Sequence, residues 1–381
     1  MNQTKSQYFL RNFIFLTMFF FSMNANALAP LMTSFQQQFN LSLSVSSLIP
    51  FLNTAGVISA NFIGGFLIAH TGLKNFMIIS LSLGITGTMF FVFANSFLFL
   101  ILGSFFIGAG TGAAFMSMSS IYSHLDEKYQ NYGLFHAFFG FGGIISPLLV
   151  SLIIKFEMSY KILYAVYAFL LFIILIYILI SNIIENRKYD SIKLKEAFKI
   201  ITKKIVFIPL LIFMLYAGSE IGIVTWSGNL FIQEFHYSKE FSSLLLSAFW
   251  IIYTIGRILT DFVDKKLGAL KTISIASLSV IFSIIMLITT KNFIFFILLG
   301  IFLSTIFPIL QKYSSRMLPK REVGLFSGLI FGSTGIGTMI LSTSMGVIGD
   351  FKIILSYFIP VIAFFIIFIL TRWLTKETKK M

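Results

Sequence analysis

From Asn12 to Leu73 the chain holds no Lys, Arg, Asp or Glu, and none again from Asn75 to Leu125. Each tract has one polar break, Ser34–Ser44 in the first and Asn95-Ser96 in the second, so each predicts two helices. Eight more apolar runs follow, near 131–154, 162–183, 206–233, 242–263, 272–290, 292–311, 323–348 and 353–373. Crossing a bilayer takes about 20 helical residues at ~1.5 Å rise each, and every run is long enough. Residues 12–33 are too long for a signal-peptide core and lead straight into a second apolar run, so they read as the first span. The pattern predicts an all-α integral membrane protein with twelve transmembrane helices.

Charge orients these spans. With the N-terminus inside, 22 Lys/Arg fall in inner loops and tails, five in outer loops, and Arg257 within a span. That bias predicts a multi-pass protein of the cytoplasmic membrane with both termini cytoplasmic. The longest charged stretch, 185–204, follows span six. It predicts a basic linker between a six-helix bundle over 1–184 and a second over 205–381. Ile192, Leu194, Phe198 and Ile201 share one face of it, as in a helix lying on the membrane surface. The halves are weakly repeated: Leu134-Phe135-His136-Ala137 opens span five and Leu325-Phe326-Ser327-Gly328 opens span eleven. Gly56 in span two and Gly256 in span eight each precede an apolar stretch and a glycine-containing turn. Two pseudo-repeated six-span halves place a solute site near the midplane, between them.

Composition removes other classes. Mean hydropathy is +0.93 and charged residues make up 11%, more apolar surface than a soluble domain hides. The net charge of +14 comes from lysines and arginines at helix ends, where anionic lipid head groups attract them, so no nucleic-acid partner is expected. The chain has no Cys, and its four His are scattered, so no metal or other cofactor is expected. No nucleophile–base pair or phosphate loop is visible, so an enzyme is not expected. The expected partners are a small-molecule solute, a proton and the lipid bilayer, with the protein a monomer.

Among the candidates for chemistry, Glu220 stands out as the only acidic residue between Ile205 and Gln233. A carboxyl at that depth is costly unless it faces a cavity or finds a partner, which marks it for proton coupling. His136, about a turn and a half into span five, is a second candidate proton carrier. Arg257 and Asp261 stand one turn apart in span eight, a spacing that permits an ion pair. With Asp264 and Lys74 they form a candidate cytoplasmic gate, and solute binding by Arg257 is the alternative. By helical rise, Arg257 lies ~10 Å from the inner end and Glu220 ~20 Å, which argues against a direct bond between them. Asn24, Asn26, Asn53, Ser117, Tyr216, Trp226, Asn229, Tyr253 and Gln311 are candidate solute ligands. Amides suit hydroxyl groups, and an indole face suits a sugar ring. Trp226 and Trp250 also admit an interface-belt reading.

The loop Gly65-Phe66-Leu67-Ile68-Ala69-His70-Thr71-Gly72-Leu73-Lys74 resembles the signature between spans two and three of the major facilitator superfamily. Ala69 stands where that signature has an acid. The matching loop of the second half, Asp261 to Gly268, keeps its acids, which implies lopsided charge contacts between the halves. Within the superfamily, three segments resemble the fucose/galactose/glucose–proton symporter branch. They are Tyr216-Ala217-Gly218-Ser219-Glu220-Ile221-Gly222 with Trp226, the stretch from Leu134 to Gly140 running on to Ser146-Pro147, and Gly256-Arg257. The resemblance implies proton-coupled movement of a sugar or sugar derivative by alternating access, with Glu220 and His136 at the positions of that branch's span-seven Glu and span-five His. Spans one and four lack the acids such symporters can carry, so coupling rests on Glu220. The alternative is an exporter or flippase of amphipathic compounds or lipid-linked sugars, since many Phe and Met with few charges suit a greasy cavity.

Overall fold

The computed structural model describes residues 3–130, 132–181, 183–184, 186, 201, 204–318 and 320–378. Among them no strand occurs, and twelve helices are long and apolar enough to cross a membrane. These spans are Gln7–Phe39, Leu43–Thr71, Leu73–Val92, Phe97–Ser123, Ala137–Lys155, Tyr160–Ile180, Val206–Glu234, Lys239–Leu267, Ala269–Thr290, Ile294–Arg316, Gly328–Gly349 and Ile353–Glu377. The predicted surface helix in the basic stretch falls largely outside the described residues.

The predicted break at Ser34–Ser44 is present but narrower than the polar stretch: span one runs on to Phe39 and span two begins at Leu43. In span one the helix Gln3–Asn26 pauses at Ala27 and resumes as Leu28–Phe39. Pro30 accounts for the pause: it has no N–H to bond the carbonyl of residue 26, yet is tolerated in a first turn. The helix stops at Asn40, which adopts a left-handed conformation (φ 51°). The Leu41 N–H then bonds back to the Gln36 carbonyl at 2.9 Å, satisfying an end carbonyl.

The residues group into two compact units, Met1–Leu31 with Leu48–Ile192, and Met32–Ser47 with Lys193–Met381. Within the first unit the closely packed pairs are spans one with five, two with four, three with four and three with six. Within the second they are seven with eleven, eight with ten, nine with ten and nine with twelve. Adding six to each span number of the first set gives the second, so the weak sequence repeat is a repeat of packing. Small residues make it possible. A methyl group at Gly108 of span four would overlap the Asn53 carbonyl of span two, and one at Gly337 of span eleven would overlap the Met214 carbonyl of span seven. The short turns repeat as well. Gly72 (φ 86°) and Gly268 (φ 81°) join spans two to three and eight to nine, a conformation that favours glycine.

Candidate functional site

In the second unit, Tyr216 and Glu220 lie one turn apart on span seven, and Trp250, Tyr253 and Arg257 recur at three and four residues along span eight. Each set therefore shares a helix face. Glu220 is 7% exposed and Tyr253 5%. The Tyr253 hydroxyl donates to Glu220 Oε1 at 2.8 Å and accepts from Arg257 Nη2. The Tyr216 hydroxyl, 3.3 Å from that of Tyr253, bonds the Leu303 carbonyl of span ten at 3.0 Å. A directed chain results: guanidinium to phenol to carboxylate. Charge at each end strengthens the bonds between.

Aromatic rings wall this chain. The Trp250 ring meets Tyr253 edge-on at 5.1 Å, and Phe249 stacks on it at 5.8 Å. The Arg257 guanidinium carbon lies 4.9 Å from the Tyr253 ring centroid and 5.7 Å from that of Phe307, a favourable position for a cation. Close approach of spans eight and ten holds the walls together, since a methyl group at Gly256 would overlap Ser304.

The ion pair that spacing permits between Arg257 and Asp261 does not form. Asp261 and Asp264 instead share Lys312 of span ten, at 2.9 and 2.8 Å, while Arg257 points the other way, toward Tyr253. No salt bridge of 4.0 Å or less joins Arg257 to Glu220 among the described residues. The depth difference read from the sequence is spanned by Tyr253, one turn from Arg257. In the first unit no acid among the described residues pairs with Lys74. Its Nζ donates to the Ser181 carbonyl at 2.8 Å, and its backbone N–H meets Asn186 Oδ1 at 3.1 Å. Among the described residues the charge contacts differ between the units, with acids on Lys312 and none on Lys74.

The remaining candidates divide between the units. In the first, Asn24 Nδ2 donates to Thr88 Oγ1 at 2.6 Å, leaving the Asn24 carbonyl oxygen buried without a partner. Asn26 bonds the Ser22 carbonyl, Asn53 the Ser104 carbonyl and Ser117 the Ala113 carbonyl. In the second, Trp226 is fully buried and donates to the Ser342 carbonyl at 2.8 Å, and Trp250 is 6% exposed. Burial removes the belt reading for both indoles. Asn229 Nδ2 donates to Gln36 Oε1 at 2.6 Å, just before span seven widens into a π-helical turn, Leu230–Glu234. Gln311 is half-buried beside Lys312 on span ten. His136 lies on the helix Tyr132–Lys155, and its side chain is outside the described residues.

Three contributors went unread in the sequence: Lys312, Gln36 and Asp350. Lys312 had a weak signal, as the first cation after the apolar run 292–311, next to Gln311. Gln36 sits in a glutamine run that resembles a loop. Asp350 follows span eleven, and its carboxylate accepts from the Leu43 N–H at 2.6 Å, the Ser44 N–H at 3.1 Å and the Ser44 hydroxyl. Partial burial pushes the Asp350 carboxyl up, but these donors and Ser42 outweigh it and hold the group below its ordinary value.

Residues 14–297 and 230–381 match the model of the Major Facilitator Superfamily. The chain belongs to that superfamily. It is therefore a multi-pass membrane transporter rather than an enzyme. It is 27% identical to the "Protein TsgA homolog" of Buchnera aphidicola subsp. Baizongia pistaciae (strain Bp), over 76% of this chain and 75% of that one. It is 23% identical to the "Glucose/mannose transporter GlcP" of Bacillus subtilis (strain 168), over 81% and 80%. Among solved structures, FucP in the outward conformation superposes with a TM-score of 0.66 at 18% identity, covering 97% of this chain and 99% of that one. A D-xylose-proton symporter superposes with a TM-score of 0.76 at 14% identity, covering 95% and 96%. At these identities the structures speak for the fold alone.

Proposed function

We propose that the chain moves a small polar solute, a sugar or sugar derivative, in step with a proton by alternating access across the cytoplasmic membrane. Both termini are cytoplasmic in this reading, the halves 1–184 and 205–381 are joined by the basic stretch 185–204, and the protein works as a monomer. The observation that carries the reading is the buried chain Arg257–Tyr253–Glu220. Glu220 is the acid, held as an acceptor by the Tyr253 hydroxyl. A proton arriving on its carboxylate removes the charge that orients the phenol, and the phenol is what holds the guanidinium. Proton loading thus changes the grip on Arg257 through a single atom. Asp261, Asp264 and Lys312 form the cytoplasmic closure of the second half, and Lys74 that of the first. The relative named for glucose and mannose transport supports the solute class.

The test is reconstitution in liposomes with an interior pH dye and a panel of solutes. Glu220→Gln is expected to lose accumulation against a gradient while keeping solute exchange at equal pH. Unimpaired uphill uptake by Glu220→Gln removes Glu220 from coupling.

A further inference from the structure

The site holds two donors that lack an acceptor. Trp250 Nε1 and Arg257 Nε are both enclosed, and neither meets a hydrogen-bond partner among the described residues. Trp250 is 6% exposed, so its N–H is not served by a wet surface. The two residues lie seven apart on one helix face, with the Tyr253 ring in contact with both. A buried donor without a partner costs about 1–3 kcal/mol, and more when charged. In a transporter, such donors point to a ligand that supplies the missing acceptors.

Charge says which acceptor. With Glu220 ionised, it and Arg257 balance. With a proton on Glu220, Arg257 keeps its charge and has no carboxylate within 4.0 Å among the described residues. A fixed positive charge in a low-dielectric site favours an anion over a neutral hydroxyl. The planar guanidinium fork, with Nε unused, fits a carboxylate.

Building on the proton-coupled reading above, we propose that the solute carries a carboxylate, held by Arg257 and the Trp250 N–H, and that one proton on Glu220 enters with each such anion. The class is a sugar acid or an acid of similar size. One proton and one monoanion carry no net charge, so a membrane potential does not drive the cycle. A neutral sugar with a proton would move one positive charge and respond to voltage.

The experiment uses the full chain in liposomes, with D-glucuronate, D-galacturonate and D-gluconate set against D-glucose and D-galactose. A pH gradient is applied alone, and a potassium–valinomycin potential alone. At least one acid is expected to accumulate with the pH gradient and not with voltage, and its neutral counterpart is not expected to compete. Trp250→Phe, which removes only the N–H, is expected to raise that acid's half-saturating concentration about tenfold with the melting temperature unchanged. Arg257→Lys keeps the charge but not the fork and is expected to weaken it further. Accumulation of a neutral sugar alone overturns the anion class and leaves the sugar–proton reading standing. Voltage-driven entry of an acid overturns the one-to-one balance. If none of the three acids accumulates or protects the protein against heat, the proposal fails.

Discussion

Asn24 in the first unit and Glu220 in the second both lie deep in their helices, and their surroundings differ. Asn24 bonds Thr88, whose hydroxyl returns to its own helix at the Gly84 carbonyl. Asn53 and Ser117 likewise end on backbone carbonyls. Glu220 ends a chain of side chains that begins on a full positive charge. The helix pairing of the two units is the same, so the shared scaffold did not impose the difference. A repeated fold supplies two equivalent frames, and among the described residues the buried ion-bearing chain lies in one. The ends of the spans follow suit, with two acids sharing Lys312 in one unit and Lys74 resting on a backbone carbonyl in the other.

Substitutions can break or sharpen this contrast. The largest effect is expected from Arg257→Ala, which strips the counter-charge from Glu220. Loss of a charged hydrogen-bonding partner is worth about 1.5–3 kcal/mol, so pH-driven uptake should fall by about ten- to a hundredfold or more. Asn24→Ala should lower stability by about 1 kcal/mol and leave the pH dependence of uptake as it was. If Asn24→Ala abolished pH-driven uptake, the contrast would collapse. Tyr253→Phe comes next: both charges remain but the shared hydroxyl is gone, and uptake should drop about tenfold at unchanged expression. Lys312→Ala should have a smaller effect, about 1 kcal/mol in a melting experiment, because Asp261 is largely exposed. Lys74→Ala should do less still, since its Nζ serves a backbone carbonyl and no described acid is left unpaired. The smallest effect is that of pH on Asp350. Its carboxyl titrates below its ordinary value, so its contribution is fully present above the ordinary carboxylate range of about 4 and is lost as pH falls through the lowered value. The melting temperatures of wild type and Asp350→Asn should therefore differ at neutral pH and converge in acid. A gap that widened in acid would reverse the sign.

The spans were legible because hydropathy decides membrane insertion residue by residue, and each run declares itself without reference to its neighbours. Glu220 and Arg257 were legible for the same reason, as charges where charge is costly. Tyr253 as their bridge was not. A phenol among 14 tyrosines carries no signal of its own, and depth counts along separate helices give no lateral register. The Arg257–Asp261 spacing misled because local geometry permits that pair, while Lys312 from another helix offers Asp261 and Asp264 a cation in common. The glutamine run misled in the opposite sense. Polar residues usually mark a loop, but Gln36 keeps the helix by bonding Ser46 and Asn229 inside the protein.

The grouping of Met32–Ser47 with residues far along the chain has a consequence for synthesis. Ser44 and its acceptor Asp350 are separated by 306 positions. At a ribosome rate of roughly 5–20 residues per second, about 15–60 s pass between the emergence of one and the other. For that time the first hairpin sits in the bilayer with its amides and backbone donors awaiting partners not yet made. A polypeptide severed at the basic stretch would not give two self-sufficient pieces. The front piece would carry a segment that belongs to the back one, and co-expressing the two should rescue folding where either alone is degraded.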